Sequence, residues 1–137
     1  MRQTLIVPGK PTAKGRPRAF NPKGEGGIRT FTPEKTVVAE NLVKIMWIKD
    51  RRPKLNGCIR MHVYCYFKIP KSYSKKKHNL LDGQFYDKLP DVDNLIKMIM
   101  DGLNEVAFDD DKQIVECFVC KRYIDGDPYT QIILEEI

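Results

Sequence analysis

The period of the apolar residues changes once between Asp91 and Ile124, and that change constrains the fold more than any other feature of the chain. On a helical wheel at about 100° per residue, with Asp93 as zero, Leu95, Ile96, Ile99, Met100, Leu103, Val106 and Ala107 fall between about 200° and 340°. An amphipathic helix from Asp93 to about Val106 is therefore expected, with Asp93 as its N-cap, where free N–H groups and the helix dipole favour an anion. From Gln113 to Ile124 apolar, β-branched and aromatic residues predict a strand.

The flanking elements follow from the same signals. Gln3–Val7 predicts a short strand stopped by Pro8-Gly9. From about residue 9 to residue 32 Gly, Pro and Arg predominate, predicting an irregular, flexible basic arm. Thr32-Pro33 opens a helix, Thr32 as N-cap and Pro33 at the first helical position, running to about Asp50 with Val37, Val38, Leu42, Ile45 and Trp47 mostly on one side. Cys58–Ile69 and Thr130–Ile137 predict strands, and the segment from about 71 to 90 a loop or insertion. Two helices packed on a small mixed sheet make an α+β fold, a single two-layer domain over residues 1–137. No apolar run is long enough to span a bilayer and Met1-Arg2-Gln3-Thr4 lacks a secretory pattern, so a cytoplasmic protein with no membrane partner is expected.

Charge is divided unevenly. Residues 1–90 carry 20 Lys and Arg against 6 Asp and Glu, a net of +14, whereas residues 91–137 carry 4 against 12, a net of −8. The basic part would attract a polyanion and the acidic part would repel it unless cations sit there, so nucleic acid together with a metal suits both. The basic candidates for phosphate contacts are Lys14, Arg16, Arg18 and Arg29 in the arm, with Phe20 and Phe31 beside them, and Lys75, Lys76 and Lys77 in the 71–90 segment. A solvated linker is the plainer alternative for each.

Other chemistries lack support in the residues. Cys58, Cys65, Cys117 and Cys120 have no second paired motif and are read as core thiols. His62 and His78 have no sequence neighbours that would complete a nucleophilic set, and HExxH, GxSxG and the P-loop pattern are absent. The carboxylates remain. If Asp91 and Asp93 lie in an extended approach to the helix they project to one side, about 7 Å apart at the backbone. Asp93, Lys97 and Asp101 form one polar stripe beside the apolar face, which ordinary i,i+4 ion pairing would equally explain. Asp109-Asp110-Asp111 crowds three like charges before a strand without an EF-hand layout, while a Mg²⁺ site asks for only one or two carboxylates, waters and a phosphate.

The pattern Asp91-x-Asp93-Asn94-Leu95, then Asp101-x-Leu103, then Asp110-Asp111-x-Gln113-Ile114-Val115 resembles the signature of the RusA family of Holliday junction resolvases, and Lys97 falls at that family's lysine position. The specific match covers about residues 90–123. The resemblance implies a Mg²⁺-dependent endodeoxyribonuclease, with Mn²⁺ a possible substitute, acting as a homodimer on four-way DNA junctions. It implies Asp91, Asp93 and Asp111 as catalytic metal ligands, Lys97 as the essential lysine, and Asn94 and Asp101 in support. Leu89-Pro90 stands where the family often has a basic residue, so Lys88 would have to reach, and the loop before the last carboxylate is not of standard length, leaving Asp110 as a substitute for Asp111. The competing expectations are a nucleic-acid binding protein without cleavage activity and a metal nuclease acting on flaps or single strands.

Overall fold

The computed structural model describes residues 1–15 and 33–137, and the backbone alone of two short strands between them. In chain order the elements are β1 (Arg2–Pro8), β2 (Arg18–Phe20), β3 (Arg29–Phe31), α1 (Glu34–Ile48), β4 (Ile59–Lys68), α2 (Lys75–Leu81), α3 (Val92–Leu103), β5 (Ile114–Ile124) and β6 (Tyr129–Glu136). The arrangement is α+β. One four-stranded mixed sheet has the order β1-β6-β4-β5, antiparallel except for the parallel β4–β5 pair, and β2 pairs antiparallel with β3. A parallel pair cannot be joined by a tight turn. The long connection from Ile69 to Gln113 carries α2, α3 and every carboxylate singled out above.

Strict alternation along β4 buries Ile59, Met61, Val63, Cys65 and Phe67, which share one core with Val43 and Trp47 of α1 and with Leu95, Met98, Ile99 and Leu103 of α3. Each such side chain contributes about 1.5–3 kcal/mol on burial. The two helices meet at Gly102, where a Cβ would lie 3.0 Å from the Glu40 carbonyl oxygen and from the Val43 Cβ. A side chain there would push the Glu40 carbonyl or Val43 aside.

Several expectations are corrected. The 71–90 segment is not simply a loop: Ser74 caps α2 by accepting a hydrogen bond from Lys77 N, and no apolar periodicity advertises that helix because none of its residues is buried. The 9–32 segment is not irregular throughout, since it contains the β2–β3 pair, and residues 10–15 are strapped down. Lys14 N donates to the Asn94 carbonyl and Gly15 N to the Thr36 hydroxyl. Pro33 occupies the N-cap position of α1; Thr32 lies outside the described residues. α1 turns Thr36, Val43 and Trp47 inward, whereas Val37, Val38, Leu42, Ile45 and Ile48 are exposed, so the expected apolar face is split in two. Of the four thiols only Cys65 and Cys120 are buried; burial pushes Cys65 up to about 12, and Cys58 and Cys117 are exposed. Among the described residues no helix is long and apolar enough to cross a membrane.

Candidate active site

α3 begins one residue earlier than the wheel suggests, which moves both leading carboxylates. Asp91 takes the extended N-cap position and Asp93 falls in the first helical turn, so the two do not share one extended approach. Asp91 makes no side-chain capping bond. Both residues are exposed, and among the described residues neither carboxylate is engaged in a hydrogen bond or an ion pair. At the positive end of a helix the dipole favours their negative charge, while their oxygens remain uncommitted.

Along the same helix the polar stripe is wired together. Lys97 Nζ lies 3.2 Å from Asp101 Oδ1, and the other Asp101 oxygen takes Lys14 Nζ at 3.0 Å, which also meets Glu40 of α1. Burial opposes the charge on Lys14, but the Glu40 and Asp101 carboxylates outweigh it and hold the ammonium above the ordinary lysine value. Lys14 therefore ties α1 to α3 and orients Asp101, which in turn leans on the exposed Lys97; little of Lys14 is left for a phosphate. Asn94 is half-buried, with its carbonyl used by Lys14 N.

The three consecutive aspartates have three different occupations. Asp109 pairs with Lys54 at 3.0 Å. Asp110 caps the single 3₁₀ turn Asp111–Gln113 by accepting from Lys112 N at 2.9 Å, while the Gln113 side chain accepts from Asp109 N and Asp110 N and donates to the Gly57 carbonyl. The Lys112 N–H holds the Asp110 carboxyl below its ordinary value. Its contribution to stability is thus present above the ordinary value of 3.8 and is lost as pH falls through the lower folded value. Asp111 is left without an ion pair among the described residues. Asp110→Ala is expected to lower the melting temperature at neutral pH and to lose that effect in acid, measured by thermal melts across pH; an equal deficit at all pH would contradict the cap.

Asp111 does not lie beside Asp91 and Asp93 within one chain. Asp111 precedes the first residue of β5, whereas Lys121, near the far end of that strand, reaches the carbonyls of Lys88 and Pro90 just before Asp91. Seven strand residues at about 3.3 Å each put the two sets on the order of 20 Å apart. Consistent with this, no group of three or more Asp, Glu, His or Cys able to hold a metal occurs among the described residues. The pair at the start of α3 offers only hard carboxylate oxygens, the donor type that suits Mg²⁺ or Mn²⁺ better than zinc.

Two further groups frame this end of the sheet. Residues 83–86 lie along the outer edge of β5, with Tyr86 N donating to the Lys121 carbonyl, Phe85 bridging Arg122, and Tyr86 stacked on Phe67 at 4.0 Å. Lys75, Lys76 and Lys77 stand exposed in the first turn of α2, with Lys77 Nζ 3.9 Å above the Tyr73 ring. α2 is pinned by His78, whose ring nitrogens face Asp125 and the Pro70 carbonyl, each at 3.0 Å. Of the arm, Arg18 and Arg29 are strand residues, Arg29 opposite Phe20, and Arg16 lies outside the described residues.

Residues 8–135, nearly the whole chain, match the family described as Endodeoxyribonuclease RusA. The chain belongs to the RusA endodeoxyribonuclease family. A protein of Bacillus subtilis (strain 168), described as uncharacterized protein YqaN, is 33% identical over 139 residues, covering 97% of this chain and 95% of its own. Within this RusA chain the residue that reading by motif passes over is Lys121. Its signal was available: a lysine at an inward position of an apolar strand, paired in register with the buried Cys65.

Proposed function

We propose that this chain is a Mg²⁺-dependent endonuclease of the cytoplasm that resolves four-way DNA junctions by paired, symmetric nicks, working as a homodimer. The observation that carries this reading is the pair of uncommitted carboxylates, Asp91 and Asp93, at the start of α3, next to the Lys97–Asp101 pair, in a RusA-family chain. Asp91 and Asp93 would hold the metal, which when bound neutralises phosphate charge and lowers the pKa of its water. Lys97 supplies an ammonium to charge developing on the scissile phosphate, and Asp101 keeps it aimed. Asp111 is the third ligand, in preference to Asp110, which the turn consumes as its cap.

The separation of Asp111 from Asp91 gives the dimer a chemical purpose: each site takes Asp91 and Asp93 from one chain and Asp111 from the partner subunit. A two-fold assembly also presents two equivalent sites to two opposed strands. The exposed stripe of α1 suits such an assembly. Val37, Val38, Leu42, Ile45 and Ile48 lie on one side of the helix and continue into a cleft of about 460 Å³ lined in part by Val7, Val38, Leu42 and Ile132. In an antiparallel pairing of two α1 helices, the acidic start of one, at Glu34, would come near the basic C-cap of the other, at Lys49.

The test is cleavage of a labelled four-way junction, with linear duplex and flap controls, in Mg²⁺ or EDTA, mapping all strands. Paired symmetric nicks on the junction in Mg²⁺ alone are expected. Single unpaired nicks on flaps would favour the flap nuclease, and binding without cleavage under any metal the binding protein. Lys75, Lys76 and Lys77 are assigned to phosphate contacts, so replacing all three by Ala should reduce the slope of log affinity against log salt by roughly 2–3. An unchanged slope would remove α2 from the DNA interface.

A further inference from the structure

We propose that Lys121 is a positioning residue of the carboxylate site, holding the Pro90–Asp91 peptide so that Asp91 faces the metal; the inference rests on the function proposed above. Lysine is among the residues least often turned inward in a strand. Lys121 occupies such a position, beside Val119 and Tyr123 on the side of β5 whose β4 neighbours are Cys65 and Phe67. The Lys121 ammonium is half-buried, and an ammonium drawn partly out of water ordinarily finds a carboxylate. Among the described residues Lys121 meets none. Its Nζ donates instead to two backbone carbonyls, Lys88 O at 2.6 Å and Pro90 O at 2.8 Å, and lies 5.7 Å from the centre of the Tyr86 ring.

The placement of those two carbonyls is what gives the contact a function. The Pro90 carbonyl and the Asp91 N–H belong to one planar peptide, so fixing the oxygen fixes the axis from which the Asp91 side chain departs. Asp91 itself makes no capping bond that would orient it. Lys121 also takes the Tyr86 N–H on its own carbonyl, so residues 86–90 are held by the backbone at one end and the ammonium at the other. Packing alone would not need a lysine: Met at this position fills the same space without a charge to satisfy.

Lys121→Met and Lys121→Arg, compared with the native chain, test this. Three quantities are read: Mn²⁺ affinity of the DNA-free protein by electron paramagnetic resonance, the Mg²⁺ concentration for half-maximal junction cleavage, and amide exchange over residues 86–92. Lys121→Met should weaken metal binding and raise the Mg²⁺ midpoint roughly 10- to 100-fold, the range typical of lost outer-shell partners. Exchange over 86–92 should quicken, junction binding in EDTA should fall by no more than the few-fold that one lost cation costs, and Lys121→Arg should recover part of the midpoint. An unchanged midpoint with unchanged exchange overturns the proposal. So does tighter metal binding, which would make Lys121 merely a competing charge. If Lys121→Met does not fold, Lys121→Arg decides, because it keeps the cation but presents its donors in a larger planar fork: a raised midpoint with faster exchange over 86–92 supports the role, and native values of both overturn it. If the native protein cleaves no DNA the endonuclease reading fails, and Mn²⁺ affinity and exchange still decide the role of Lys121.

Discussion

Asp91→Asn is expected to lower junction cleavage by at least roughly 10²- to 10³-fold while leaving junction binding in EDTA as tight as before or tighter, and Asp93→Asn is expected to behave alike. The basis is what these side chains do not do. Neither carboxylate carries an ion pair among the described residues and Asp91 caps nothing with its side chain, so the isosteric amide removes charge without removing a structural bond. A melting temperature close to native is therefore part of the expectation. Each substitution also takes a negative charge from the start of α3, which cannot weaken attraction to phosphate. Gel-shift affinity in EDTA and single-turnover cleavage in Mg²⁺, measured on the same preparations, check the two halves separately. Cleavage within a few-fold of native in either variant would remove that aspartate from the metal site; lost binding together with lost cleavage would show that the substitution damaged the fold.

The same stretch of sequence shows what patterning can and cannot reveal. The helix carrying Leu95, Ile99 and Leu103 and the strand after it were visible because burial on one face imposes a period, and both lie close to where the period puts them. α2 imposes none, since it buries no residue and is held by the Ser74 cap and by His78, contacts that leave no spacing in the chain. α1 misleads for the opposite reason. It has apolar residues on two faces, only one of which the monomer covers, so the pattern joins Val38 and Ile45 to Trp47 although only Trp47 is buried. The run of three aspartates looked like one cluster in sequence, but Asp109 pairs with Lys54 and Asp110 caps the turn, which separates both from Asp111 in role. The carboxylates Asp91, Asp93 and Asp111 stand out in the sequence by their spacing, but their division between the two ends of β5 does not, because that depends on the parallel β4–β5 crossover.

That division leads to the prediction with the most distinctive outcome. Asp91→Asn and Asp111→Asn should each be inactive as a pure homodimer, yet an equal mixture exchanged at random should regain about a quarter of the native sites, since about half the dimers are then heterodimers with one intact site of two. In such a heterodimer one composite site contains both substitutions, and the other joins a native Asp91 and Asp93 to a native Asp111 of the partner subunit. One intact site per dimer cuts one strand, so the product should be a junction nicked once, not resolved. If instead all three carboxylates worked within one chain, every site in the mixture would carry one substitution, and no activity could return on mixing. Placing Ile45→Glu in both chains adds a test of the surface. A charge in the middle of the exposed α1 stripe, the contact proposed for the dimer, cannot be buried without a partner, so restoration should vanish and sedimentation should report monomers. Restoration that survives Ile45→Glu would move the dimer contact away from α1 while leaving the shared site in place. No restoration with native α1, in dimers shown to exchange subunits, would return Asp111 to a structural role and leave Asp91 and Asp93 as the carboxylates of a site that, with waters and the phosphate, each chain completes alone.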